Sequence, residues 1–221
     1  MIINKETLKF LSGLKSNNNK PWFDANRDKY ASAKENFLQF TTELIAKISA
    51  FDAGVKDLDP KKTIFRINRD IRFSKDKSPY KSNMGASINH GGKKIMSAGY
   101  YLHIEPGNKS FAAAGSYQPD PEKLAAIRQE IDYNFSEFQK ILKATSFKKY
   151  FDGLDEIEKL KTSPKGYSDE NPAIDFLKHK HFIVSRNFTD KEVLSPEFLK
   201  NLVNCFKSAD KFLQFLNRAL M

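Results

Sequence analysis

Apolar residues recur three, four or seven positions apart over the first fifty residues, alternate through the next stretch, and then return to the helical period. Thr7 to Leu14 predict a short helix, which Asn17-Asn18-Asn19-Lys20-Pro21 breaks and restarts. Asn19 suits an N-cap, and a proline in the first turn sacrifices no hydrogen bond. Phe23, Asn26, Tyr30, Phe37, Phe40, Leu44 and Ile48 then mark one face of a long amphipathic helix, closed by Gly54 and Asp59-Pro60. Between 62 and 117 the period drops to two. Ile64–Ile67, Ile71–Phe73, Met84–Asn89, Ala98–Glu105 and Ser110–Tyr117 predict strands, with turns at Gly91-Gly92 and Pro106-Gly107. Helical spacing returns after Asp120-Pro121-Glu122, at Leu124, Ile127, Ile131, Phe138, Ile141 and Leu142. Asn171-Pro172 opens a short helix, His181–Arg186 forms a last strand, and Ser195-Pro196-Glu197 starts a terminal helix reaching Leu220.

Strands grouped in the middle with helices on both sides predict an α+β fold. The expectation is one antiparallel meander of about five to six strands, packed by long N-terminal and C-terminal helices. It forms one domain over 1–221: helical 1–58, strand-rich 62–117, helical 120–178, a strand at 181–187 and a helix at 195–220. A chain of 221 residues can bury a full core without staples. The lone Cys205 excludes an internal disulfide and multi-cysteine metal sites, and its apolar surroundings predict a buried thiol. Met1–Leu14 lacks the apolar run of a secretory signal, and no segment has the composition of a membrane span, so a cytoplasmic location is expected.

Charge sharpens this picture. The forty positions 61–100 hold ten of the 37 basic residues against Asp70 and Asp76, and so carry +8 of the net +10. Such a concentration repels itself unless an anion lies nearby. In an extended Ile64–Phe73 strand, Arg66 and Arg72 share the face opposite Phe65, Ile67, Ile71 and Phe73, with Asp70 between them. Arg69 falls among the apolar residues. It requires either a turn or bulge at 68–70 that re-aims it, the favoured reading, or a buried carboxylate partner. The following loop, with Lys75, Lys77, Tyr80 and Lys81, offers cations and a ring for a phosphate and a base. Its plain alternative is a solvated loop whose lysines protect a hairpin edge. A four-residue hairpin loop would set Glu105 opposite Ser110, His103 opposite Ala112 and Tyr101 opposite Ala114. That leaves three large polar side chains above a floor of alanine and serine.

The segments Asn17-Asn18, Trp22-Phe23, Asn26-Arg27, Phe65-Arg66 and Arg69-Asp70-Ile71-Arg72-Phe73-Ser74-Lys75-Asp76-Lys77-Ser78-Pro79-Tyr80-Lys81 resemble the family catalogued as domain of unknown function 2461. The similarity continues through Gly99-Tyr100-Tyr101, Glu105-Pro106, Tyr117-Gln118-Pro119, Pro164-Lys165-Gly166 and Phe215-Leu216-Asn217. It implies a single-domain, mainly bacterial protein, and brings no activity, cofactor or catalytic residue with it.

Other constellations are weaker. Trp22 and Tyr30 read as core aromatics and Arg27 as a surface or paired charge. His179-Lys180-His181 puts two imidazoles on one side of a strand, but no carboxylate adjoins them in sequence. Asp70, Asp76 and Glu105 could hold magnesium, without any familiar nuclease spacing. Nucleophile, Walker and dinucleotide motifs are missing, so no cofactor is evident, and Gly91-Gly92-Lys93-Lys94 reads as a hairpin turn. The function expected is a pocket for an anionic or phosphate-bearing ligand, built from Arg66, Arg69, Asp70, Arg72, Lys75, Lys77, Tyr80, Lys81, Tyr101, His103 and Glu105. If it catalyses, His103 or Glu105 is the acid–base group. The alternatives are a non-catalytic nucleic-acid-binding module and a metal-dependent phosphoryl-transfer or hydrolytic enzyme.

Overall fold

The computed structural model describes residues 1–92 and 97–220. Lys93 and Lys94, and with them the second half of the expected glycine–lysine turn, lie outside the described residues. The helices are α1 (Lys5–Ser16), α2 (Lys20–Ala25), α3 (Arg27–Ile48) and α4 (Pro60–Thr63), with a 3₁₀ turn at Ala53–Val55. Strands β1 (Met84–Asn89), β2 (Gly99–Ile104) and β3 (Ser110–Ser116) follow. Next come α5 (Pro121–Tyr133), α6 (Phe135–Lys143), α7 (Thr145–Lys148) and α8 (Ile174–Leu177), then β4 (Phe182–Phe188), α9 (Asp190–Val193) and α10 (Phe198–Leu220).

Among the described residues one antiparallel sheet forms, in the order β1-β2-β3-β4. It has four strands, not five or six. The expected strand at 64–67 reduces to a single bridge, Ile64 to Ala86; a second bridge joins Asn68 to Tyr80, and 71–73 forms neither strand nor bridge. Here an alternating pattern lacks a neighbouring chain to pair with along its length, and the segment folds back on itself. The expected long helix from Pro21 is also two helices. Asn26 sits between them with φ −118° and ψ 24°, and its Nδ2 donates to Trp22 O (2.9 Å). Asn19 caps α2 by accepting from Trp22 N (3.0 Å), and Asp120 caps α5 by accepting from Lys123 N (2.9 Å), both ahead of a proline.

Alternation divides the sheet into two faces. Ala86, Ile88, Tyr100, Leu102, Ile104, Ala112, Ala114, Phe182 and Val184 are fully buried beneath α3 and α10. Alanines on β3 let α10 approach closely, and α10 answers with Leu202, Cys205, Phe206, Ala209, Phe212 and Leu213 at helical spacing. Asn217 ties the last turn of α10 to the start of β2, accepting from Ala98 N (2.8 Å) and donating to Ala98 O (3.1 Å). Both sheet edges are covered by loop backbone: Phe65 N donates to Gly85 O on one side and Asp155 N to Ile183 O on the other, each at 2.9 Å. Among the described residues, no helix is long and apolar enough to cross a membrane.

Candidate functional site

Among the described residues, no helix lines the space over the opposite face of the sheet. Most of its positions are small or polar, namely Ser87, Asn89, Gly99, Ala113, Gly115, Ser185 and Asn187, interrupted by Tyr101, His103, Phe111 and Ile183. Large rings beside glycines and serines leave a concave space of 800 Å³. Phe65, Tyr117, Asp155 and Ile157 from the flanking loops complete its rim. Such a volume accommodates a nucleotide-sized ligand.

The register that builds this face differs by one residue from expectation. His103 pairs with Phe111 and Tyr101 with Ala113. Gly107 and Asn108 both adopt positive φ (88° and 60°), and this tightens the turn. Ser110 Oγ then closes it by donating to Glu105 O and accepting from Glu105 N, both at 3.1 Å. Phe111 therefore lies with Tyr101 and His103, while Ala112 and Ala114 face α10.

A chain of polar contacts runs along one side of the cavity. Lys15 on α1 pairs with Glu105 Oε1 (3.1 Å), His103 Nε2 donates to Glu105 Oε2 (3.2 Å), and Tyr101 Oη donates to His103 Nδ1 (3.2 Å). Burial lowers the pKa of His103 against the opposing pull of Glu105, so the ring is neutral at pH 7, with its proton on Nε2. Burial raises Glu105, but His103 and Lys15 outweigh it and leave the carboxyl below its ordinary value. Burial also pushes the Tyr101 phenol up to about 12. The imidazole stacks on Phe111 (4.6 Å between centroids), and Gly85 gives the phenol its space, since a Cβ there would lie 2.7 Å from Tyr101 Oη. A carboxylate, an imidazole and a hydroxyl in series can hold or pass a proton at the cavity wall.

The basic segment forms a hairpin-like excursion over residues 67–81. Lys81 N donates to Ile67 O (2.8 Å) and Arg69 N to Pro79 O (2.9 Å). Its base is clamped by Asn18, whose side chain accepts from Tyr80 N (3.0 Å) and donates to Tyr80 O (2.9 Å). Tyr80 is buried, stacked on Phe23 at 4.1 Å, and so is not presented to a base. Arg69 is re-aimed by the turn and also paired: it bonds Asp76 and the Ser78 carbonyl. Hydrogen bonds from Ser78, then from Arg69, hold the Asp76 carboxyl at about 2. Arg72 grips Asp70 through Nε (3.0 Å) and Nη2 (2.7 Å). Two of the three expected arginines are thus engaged by the protein's own carboxylates.

Arg66 and Lys81 differ. Among the described residues no carboxylate lies within 4 Å of either side chain. Lys81 Nζ donates to Arg66 O (3.1 Å) and sits 5.3 Å from the centre of the Phe65 ring, which lines the cavity and meets Tyr101 edge-on at 6.1 Å. Burial and then the neighbouring Arg66 lower the Lys81 pKa. Lys75 and Lys77 are exposed on the excursion, away from the residues that line the cavity.

The eleven expected residues therefore separate. Tyr101 and His103 line the cavity with Glu105 bonded behind them, Lys81 approaches it through the Phe65 ring and bonds the Arg66 carbonyl, Tyr80 is buried at the base of the excursion, and Arg69, Asp70, Arg72, Lys75 and Lys77 belong to the projecting tip. Asp70, Asp76 and Glu105 occupy separate ion pairs, and no group of three metal-binding side chains gathers among the described residues. Arg27 pairs with Asp24 (2.7 Å), and Trp22 and Tyr30 pack around Phe10. Sequence reasoning missed Lys15 and Asp155. Neither has a local signal: Lys15 lies ninety positions from Glu105, and Asp155 reaches the sheet from an irregular loop, accepting from Ser185 N (3.1 Å).

A family model described as a conserved hypothetical protein, DUF2461, matches residues 6–215, nearly the whole chain. No curated protein and no solved structure matches it.

Proposed function

We propose that this chain, which belongs to the DUF2461 family, binds a phosphate-bearing ligand with a flat, hydrogen-bonding body, a nucleotide-like molecule, on the open face of its sheet. One observation carries the reading: Lys81, with no carboxylate within 4 Å among the described residues, sits 5.3 Å from the centre of the Phe65 ring that lines an aromatic-walled cavity, and bonds the Arg66 carbonyl. Burial, and then Arg66, lower the Lys81 pKa, and a phosphate placed there would oppose both. The cavity walls suit a heterocycle rather than a second anion. Phe65, Tyr101, Phe111 and Tyr117 offer rings, Ser87, Asn187 and Ser185 offer small polar groups, and Asp155 is a fixed negative charge able to accept from an amino-substituted base. A reducing, cytoplasmic setting suits the buried Cys205, whose thiol burial pushes up to about 12.

Thermal shift tests this with the four nucleoside monophosphates, their parent nucleosides and ribose 5-phosphate. A ligand that binds only the folded state at a hundred times its Kd stabilises by about 2.7 kcal/mol. The expected result is a shift with monophosphates, a smaller one with nucleosides, and loss of the difference in Lys81→Ala. Equal shifts for nucleoside and nucleotide, or an undiminished shift in Lys81→Ala, would remove the basic segment from the site.

A further inference from the structure

The tip of the 67–81 excursion has an unusual composition. Phe73 is 95% exposed, the most exposed of the large apolar side chains among the described residues, and the Arg72 guanidinium lies 5.8 Å from its ring centre. Isolated apolar residues on a surface need no explanation. This one caps a segment built to hold its shape. Asp70 Oδ1 accepts from Arg72 N (3.2 Å), Asp76 Oδ1 accepts from Ser78 N (2.9 Å), Arg69 joins Asp76, and Lys77 Nζ donates to Ile71 O (3.0 Å). The base is anchored on the α1–α2 connection through Asn18 and on α2 through the Tyr80–Phe23 stack. Both acids of the excursion are consumed internally by Arg69 and Arg72, and the exposed Lys75 and Lys77 have no carboxylate partner within 4 Å among the described residues.

We propose that this tip is a docking surface for single-stranded nucleic acid, with Phe73 stacking on an unpaired base and the lysines following the backbone phosphates. A cationic track with one projecting ring is the arrangement that single strands use, because every base has a π-face and every linkage a charge. A duplex offers the charge without a free base face. A membrane surface would need more apolar area than one ring supplies. The surface is separate from the sheet-face cavity and stands on its own observations.

The test uses the full chain and a fluorescein-labelled fifteen-nucleotide oligothymidylate, read by anisotropy against salt. With about two phosphates neutralised by Lys75 and Lys77, the log–log slope against salt is expected at roughly −1.4. Phe73→Ala is expected to weaken binding about five- to a hundredfold at constant slope, and Phe73→Trp to restore it. Lys75→Gln with Lys77→Gln should make the slope shallower by roughly one to two units. Circular dichroism of each variant confirms the fold; at so exposed a tip no change is expected. The proposal is overturned by absent binding in low salt, by equal affinity for a duplex of the same length, or by an unaltered affinity in Phe73→Ala. Capture by vesicles of phosphatidylserine and phosphatidylcholine, lost in Phe73→Ala, with no oligonucleotide binding, would also overturn it and assign the tip to anionic lipid.

Discussion

His179 is almost fully buried, and its Nδ1 has no hydrogen-bond partner among the described residues. Burial, then Lys159, lowers its pKa to about 4. The unfolded chain takes up this proton first as pH falls, so stability is complete above about 6.5 and is lost as pH drops towards 4. At pH 5 the loss from this group is about 2 kcal/mol. His103, also lowered by burial, adds in the same direction. Urea denaturation at pH 7 and pH 5 should show this loss, and His179→Gln, which cannot protonate, should flatten it. An identical pH dependence in the variant would place the sensitivity elsewhere. The proton of the neutral His103 ring sits on Nε2 because the Glu105 carboxylate beside it can only accept, and this leaves Nδ1 free to accept from the Tyr101 hydroxyl at the cavity wall.

The 67–81 excursion is held at its base by one side chain from the connection between α1 and α2. Asn18 replaces the missing strand neighbour of Tyr80 by bonding both its N–H and its carbonyl. Asn18→Ala leaves those two part-buried backbone groups unmet and should cost about 1–3 kcal/mol. Hydrogen exchange at Tyr80 and Lys81 should accelerate while exchange in β2 and β3 holds; unchanged exchange at Tyr80 would show that the Phe23 stack alone anchors the base. The elements legible in the sequence are those with local causes. The caps at Asn19 and Asp120, strand β1, and the α10 stripe follow from side chains within a turn or two of one another. The segment 64–73 misleads because alternation reports a two-faced extended chain and says nothing about whether a neighbour exists to pair with it. The β2–β3 register misleads because two positive-φ residues in the turn, one of them Asn108, shift it by a single position.

For the whole molecule, the sheet's two faces set the division of labour. One is sealed by α3 and α10 and holds the core; the other is left open, with its charge supplied from the side. The shared orientation of Tyr101 and His103 was legible from their spacing of two, and so was the concentration of charge beside them. Which arginines stay free was not, because Asp70 and Asp76 choose partners through a fold-back that alternation cannot reveal. The most direct measurement is an amide and side-chain NMR titration of the full chain with the four nucleoside monophosphates. The account predicts shifts that saturate together at Ser87, Tyr101, His103, Ala113 and Ser185, accompanied by Lys81, with the Phe73 tip unmoved. Shifts confined to the tip, or none in the sheet at millimolar ligand, would contradict it.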